Sequence, residues 1–192
     1  MSLTTLLLAQ TLAATQVSTP TLPLHKIHNI HTITEIQEFY QNQEVIYPQV
    51  NSENYDIAYL SLYTSPNTTL KRGFGICDDL SMLTSSMLLQ VPYITEIQLI
   101  QVAADVNGNT AHHTYVVFKD NNNMWGYANN TTVSDTTYLT KGQALLQPIK
   151  RSGMNINTPT FSISQRQITK PGPWLYNDQL ASRLNPTQKS YP

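Results

Sequence analysis

The chain has 192 residues and a mass of 21.6 kDa, the size of one domain with some appendage. Apolar residues make up 40% of it, enough for a core, while charged residues make up 12%, so the surface is polar but largely uncharged. A net charge of −1 and a pI near 6.5 exclude a uniformly basic nucleic-acid binder, no stretch approaches the roughly 18 apolar residues of a membrane span, and a single cysteine, Cys77, excludes a disulfide scaffold.

The first 20 residues, with Leu3, Leu6, Leu7 and Ala14, predict a short helix before Pro20. Their apolar run is short and no Lys or Arg precedes Lys26, so a secretory leader is not expected. The compartment stays open. His25, His28 and His31 recur at a spacing of three, beside Ile27, Ile30, Ile33 and Ile36. With no carboxylate or cysteine joining them, the histidines read as a polar stripe flanking an apolar one, and no metal is expected. Thr32 with Glu35 forms a capping box for a helix carrying Ile33, Ile36, Phe39 and Tyr40. Pro48 limits its length. Residues 49–70 read as a mostly irregular connection with some helix near 57–62.

A second clear helix is expected over 77–89, where Leu80, Leu83 and Met87 share a face and Asp78 and Asp79 suit the dipole of the first turn. Gly73 and Gly75 punctuate its approach, without the Lys-Ser/Thr follow-on of a phosphate loop. Strands follow at 97–103 and 113–119 around an Asn107-Gly108 turn, then a third at 124–128 after a polar loop. One helix followed by an antiparallel meander is an α+β pattern.

Charge is divided unevenly. Residues 1–140 hold four basic and eleven acidic side chains, whereas 141–192 hold seven basic ones against Asp178 alone. That last stretch also carries Pro148, Pro159, Pro171, Pro173, Pro186 and Pro192, with Phe161, Trp174, Tyr176 and Tyr191 among them. It reads as an extended C-terminal arm that wraps the chain's own acidic body or docks on a neighbouring subunit. Seven dispersed cations are only a weak signal for a nucleic-acid partner, and none is expected.

Cys77 stands at a predicted helix start, where amides stabilise a thiolate and can receive the oxyanion of an acyl intermediate. A nucleophile needs a base and the base an orienting group. His113 shares a strand face with Tyr115 and Val117, while His112 shares the other with Thr114 and Val116. A three-residue loop from Asp120 to Asn122, with Asn122 left-handed, sets residue 119 opposite 123 and His113 opposite Asn129. A loop one residue longer sets His113 opposite Asn130. In the first register the Asn129 oxygen accepts Nδ1–H and leaves Nε2 for the sulfur. His112 is expected to face away from the nucleophile, and Asp135 is the reserve third member.

Gly75-Ile-Cys77-Asp-Asp79-Leu, a helix, Val91-Pro92, strands, His113-Thr-Tyr115-Val and Trp125-Gly-Tyr-Ala-Asn129 together resemble the transglutaminase-like branch of the papain-like cysteine enzymes. The likeness covers about residues 33–131. The family pattern has Trp where Tyr115 stands, Gly before the Ile-Pro matched by Val91-Pro92, and Asp where Asn129 stands. The resemblance implies a papain/transglutaminase-like α+β core over 32–140, an N-terminal extension over 1–31 and the basic arm over 141–192. It also implies Cys77 as nucleophile, His113 as base and Asn129 as orienting residue, with no cofactor and Asp79 not itself catalytic. The expected activity is a thiol peptidase or amidase acting on a peptide or peptidoglycan-like amide. Two alternatives are a protein cross-linking acyltransferase and a structural subunit, for example of a virus or phage particle, that keeps the fold without turnover.

Overall fold

The computed structural model describes residues 27, 29–42, 44–47, 65–106 and 109–168. The expected helix in the first 20 residues, the helical stretch near 57–62, His25, His28, the Asn107-Gly108 turn itself and the chain beyond Ile168 lie outside them.

Helix α1, Ile33–Gln41, starts where its capping box is written. Glu35 N–H donates to Thr32 Oγ1 at 3.1 Å, and Thr32 N–H donates back to Glu35 Oε2 at 2.9 Å. Ile27, Ile30, Ile33 and Ile36 are all buried, as an apolar stripe requires. Helix α2, Pro66–Arg72, occupies the end of a segment expected to be irregular. Its signals are local: Ser65 Oγ accepts from Thr68 N–H, Pro66 takes the first helical position, and Gly73 stops the helix at φ 70°. Helix α3, Cys77–Leu88, then begins after Gly75, whose missing side chain is required. A Cβ there would lie 2.8 Å from Asp79 Cβ and 3.0 Å from Thr69 Cγ2. Glycine lets the turn before Cys77 press against two helices at once.

Five strands follow as an antiparallel sheet with one further helix threaded between them. They are β1 (Ile94–Val106), β2 (Asn109–Asp120), β3 (Trp125–Asn129), β4 (Thr132–Val133) and β5 (Ser162–Gln167), in the order β4-β3-β2-β1-β5. Helix α4, Lys141–Arg151, lies between β4 and β5 in sequence. The α+β class holds. Both faces of the sheet are covered. Leu99, Val116, Phe118 and Ala128 pack with Leu80, Leu83 and Met87 of α3 and with α1, whereas Ile100, Val102, Tyr115, Val117 and Tyr127 pack with Ala144, Leu145 and Ile149 of α4. A strand buried on both faces needs a continuous apolar run, and Tyr115-Val-Val-Phe118 supplies it.

Two expectations change. The segment from residue 141 was expected as an extended arm, but to Ile168 it is a capped helix and an edge strand. Thr140 caps α4 through Gln143, and Pro148 lies within the helix. Pro148 lies late in α4, so it removes one ladder bond near an end where few remain. β5 pairs with β1 from Gln98↔Gln167 to Ala103↔Ser162. The β2–β3 register also differs, since Val116 faces Ala128 and Lys119 faces Trp125. Asp120 causes this. Its Oδ1 accepts from the amides of Asn122 and Met124, both at 2.9 Å, and its carbonyl accepts from Asn123 N–H at 3.1 Å. The loop therefore runs over Asn121–Asn123, with Asn123 rather than Asn122 left-handed at φ 64°.

Among the described residues no three His, Cys, Asp or Glu side chains cluster to hold a metal. Among the same residues no helix is long and apolar enough to cross a membrane.

Candidate active site

A register error of two residues preserves strand faces, because side chains alternate with period two. His113 and Asn129 therefore still share a face, now as diagonal rather than facing neighbours, within reach for long side chains. They meet: His113 Nε2 and Asn129 Oδ1 are 2.6 Å apart. The amide oxygen accepts, so the hydrogen sits on Nε2 and Nδ1 is the basic nitrogen. This reverses the expected tautomer. Nε2 is the outer ring nitrogen and reaches the next strand, while Nδ1 stays close to the backbone of β2. Tyr115 backs the imidazole from the same face, its ring stacked at 5.8 Å, and its own hydroxyl donates to Leu145 O at 2.8 Å.

Cys77 comes from the other side of the sheet. Helix α3 packs on the face carrying Val116 and Phe118, the face to which His112 and Thr114 belong. Cys77 is half-buried, and its sulfur accepts a hydrogen bond from the Thr114 backbone N–H. That amide is available for a reason. Asp120 N–H donates to Met124 O, so even-numbered residues of β2 turn their amides toward β3. The β2–β3 ladder ends at Val116↔Ala128, one step before Thr114. Where the ladder parts, the thiol takes over as acceptor, beside the residue that follows His113.

The first turn of α3 is buried. Asp79 is 1% exposed and accepts from Ile76 N–H at 3.2 Å, fixing the helix start. Asp78 is 8% exposed and takes a hydrogen bond from the Thr114 side chain. Thr114, itself buried, thus serves both residues: its amide the sulfur, its hydroxyl the neighbouring carboxyl. Burial, followed by the charge of Asp79, pushes the Asp78 carboxyl up to about 6, against the Thr114 hydrogen bond and the nearby His112, which lower it. His112 is exposed and lies on the Asp78 side of the strand, so it does not face away from the nucleophile's helix as expected.

The thiol is not the preformed thiolate that its helix position suggests. Burial, then the charge of Asp78, pushes Cys77 up to about 12, against hydrogen bonds from the Thr114 and Asp78 amides. Burial likewise holds His113 below its usual range, against the raising effect of its bond to Asn129. Both shifts favour the neutral forms, a thiol and an imidazole, and among the described residues no hydrogen bond or charge interaction joins Cys77 directly to His113.

Asp135, the reserve third member, is exposed and accepts from Gln37 Nε2 at 3.1 Å; Asn129, not Asp135, is the partner of His113. Asn130 is left-handed at φ 52° and turns the chain from β3 into β4. Sequence reasoning missed Thr114, whose signal was a buried polar residue on the helix-facing side of β2.

Residues 15–149 match the family model described as a transglutaminase-like domain. The match runs through most of α4, past the point where the arm was expected to begin. No curated protein matches the chain.

Proposed function

Taking as premise that this chain belongs to the transglutaminase-like domain family, we propose that it is a thiol amidase or peptidase working through a Cys77 acyl-enzyme. The observation that carries this reading is the parting of β2 from β3, which leaves the Thr114 amide to the Cys77 sulfur beside the His113–Asn129 pair. Because thiol and imidazole both rest neutral, His113 acts as a general base in step with attack, once substrate binding brings the two groups together. Nδ1 takes the thiol proton, sulfur bonds to the carbonyl carbon, and the carbonyl electron pair moves to oxygen. The amide of Cys77, first residue of α3, has no intrahelical partner and receives that oxyanion. The imidazolium then protonates the departing amine as the C–N bond breaks. Water, deprotonated by the same nitrogen, cleaves the thioester and regenerates the thiol.

The substrate class is a peptide or peptidoglycan-like amide. The test is hydrolysis of peptide and peptidoglycan fragments, followed by mass spectrometry, with and without an added primary amine. Release of a free acid that is lost in Cys77→Ala and falls about 10²–10⁴-fold in His113→Ala supports amide hydrolysis. Transfer to the amine instead makes the protein a cross-linking acyltransferase. A second reading, an assembly subunit that keeps the fold without turnover, is favoured by the high thiol alone. Under it, residues 141–192 supply the contact with a neighbouring subunit, and Cys77→Ala changes nothing but thiol labelling.

A further inference from the structure

Tyr47 has no place in the core, the residue being 40% exposed. Its backbone is nevertheless held firmly. Ile46 forms a parallel bridge with Phe74, Ile46 N–H donating to Gly73 O at 3.1 Å and Gly75 N–H donating to Ile46 O at 3.1 Å. In a parallel pair the two strands advance together, so Tyr47 runs beside Gly75, two residues before the nucleophile. Gly75 keeps this approach narrow, since any side chain there would meet Asp79. The phenol also shares the surroundings of the sulfur. Burial, and then the ionisable groups of Cys77 and Asp78 nearby, push its ionisation up, so it stays an O–H donor.

The Thr114 groups beside the sulfur are engaged, its amide with the sulfur and its hydroxyl with Asp78. A tetrahedral intermediate on Cys77 places its oxyanion next to the amide at the start of α3, and one amide is half of the usual pair of donors. We propose that the Tyr47 hydroxyl is the second oxyanion donor, converging with the Cys77 amide on the carbonyl oxygen of the acyl substrate. This rests on the acyl-enzyme reading above. The hydroxyl donates a hydrogen bond to the oxyanion while keeping its proton; proton transfer belongs to His113. Tyr47 touches the substrate and is in that sense a catalytic residue.

The test compares two reactions of the same sulfur in wild type and Tyr47→Phe. Acylation by p-nitrophenyl acetate passes through an oxyanion; alkylation by iodoacetamide is a direct displacement and does not. Both are followed by intact-protein mass spectrometry, with the adduct mapped to Cys77. The expected result is acylation slowed about a hundredfold with alkylation unchanged. Equal acylation of the two proteins overturns the proposal. So does a matching loss of both reactions, because Tyr47 would then be holding the thiol rather than the oxyanion. A wild-type protein that is alkylated but never acylated overturns the acyl-enzyme reading, and this proposal falls with it.

Discussion

At the scale of single residues, Asp78 shapes the site more than its position in a helix first turn suggests. An exposed acid there favours the helix dipole; a buried one beside a thiol works against the thiolate. The folded protein holds the Asp78 proton up to about 6 where the ordinary carboxyl releases it at 3.8, which makes the ionised form costly by about 2–3 kcal/mol. Between those values the folded state binds a proton that the unfolded chain has lost. Stability therefore falls as pH rises through that window, and the whole cost is present above about 6. Asp78→Asn keeps an acceptor for Thr114 and removes the charge. It is expected to stabilise the protein by about 1–3 kcal/mol at pH 7 in urea unfolding, with the two proteins converging below pH 4. In the same variant iodoacetamide should label Cys77 faster between pH 7 and 9, since the charge that raises the thiol is gone. Slower labelling, or a gain in stability that persists in acid, would contradict this account.

At the scale of elements, the nucleophile is held by close packing before its helix begins. Gly75→Ala sets a Cβ against Asp79 Cβ, an atom fixed to its backbone. Either the turn or the first residues of α3 must move. The expected loss is about 1–3 kcal/mol of stability, measured by thermal unfolding, together with altered labelling of Cys77. Wild-type behaviour would show that the approach is looser than described. Much of this was legible beforehand. The Thr32–Glu35 box, the Leu80-Leu83-Met87 face and the alternation along β2 are local patterns, and local patterns survive folding. The register was harder, because Asp120 anchors the hairpin loop through its side chain and moves it by one residue. The His113–Asn129 pair survived that error, since the pairing shifted by an even number and left both on one face. The tautomer did not survive it, since it depends on which ring nitrogen reaches across. Thr114 and Tyr47 were illegible for a different reason: their roles come from where β2 parts from β3 and where a bridge brings a loop beside α3.

At the scale of the whole molecule, the boundary drawn from composition at residue 141 cuts through a core. Charge and proline content change there, yet Ala144, Leu145, Ile149 and Met154 fill one face of the sheet and β5 completes its β1 edge. A chain ending at Thr140 leaves Tyr115, Val117 and Tyr127 uncovered and should not unfold cooperatively in circular dichroism melts. The intact chain should melt in one transition. If the shorter chain also melts cooperatively, the second core is not part of the folding unit. Composition misjudged the boundary because amphipathic helices and edge strands need few apolar residues. α4 turns Lys150 and Arg151 outward at its end, and β5 is exposed along most of its length. Basic residues on such elements look like a solvated tail to any count that ignores periodicity.

The hydrogen bond from the Thr114 amide to the Cys77 sulfur makes one backbone proton a witness to the chemistry. Most peptide hydrogens in a sheet bond to carbonyl oxygens, whose electron density hardly responds to substrate. This one bonds to the reacting atom itself. Thiol, thiolate, thioester and alkylated sulfur differ in charge and polarisability, so each imposes its own magnetic environment on the Thr114 nitrogen and its proton. A single cross-peak in an amide correlation spectrum thereby reads the state of the nucleophile, with no label added to the protein beyond the isotope.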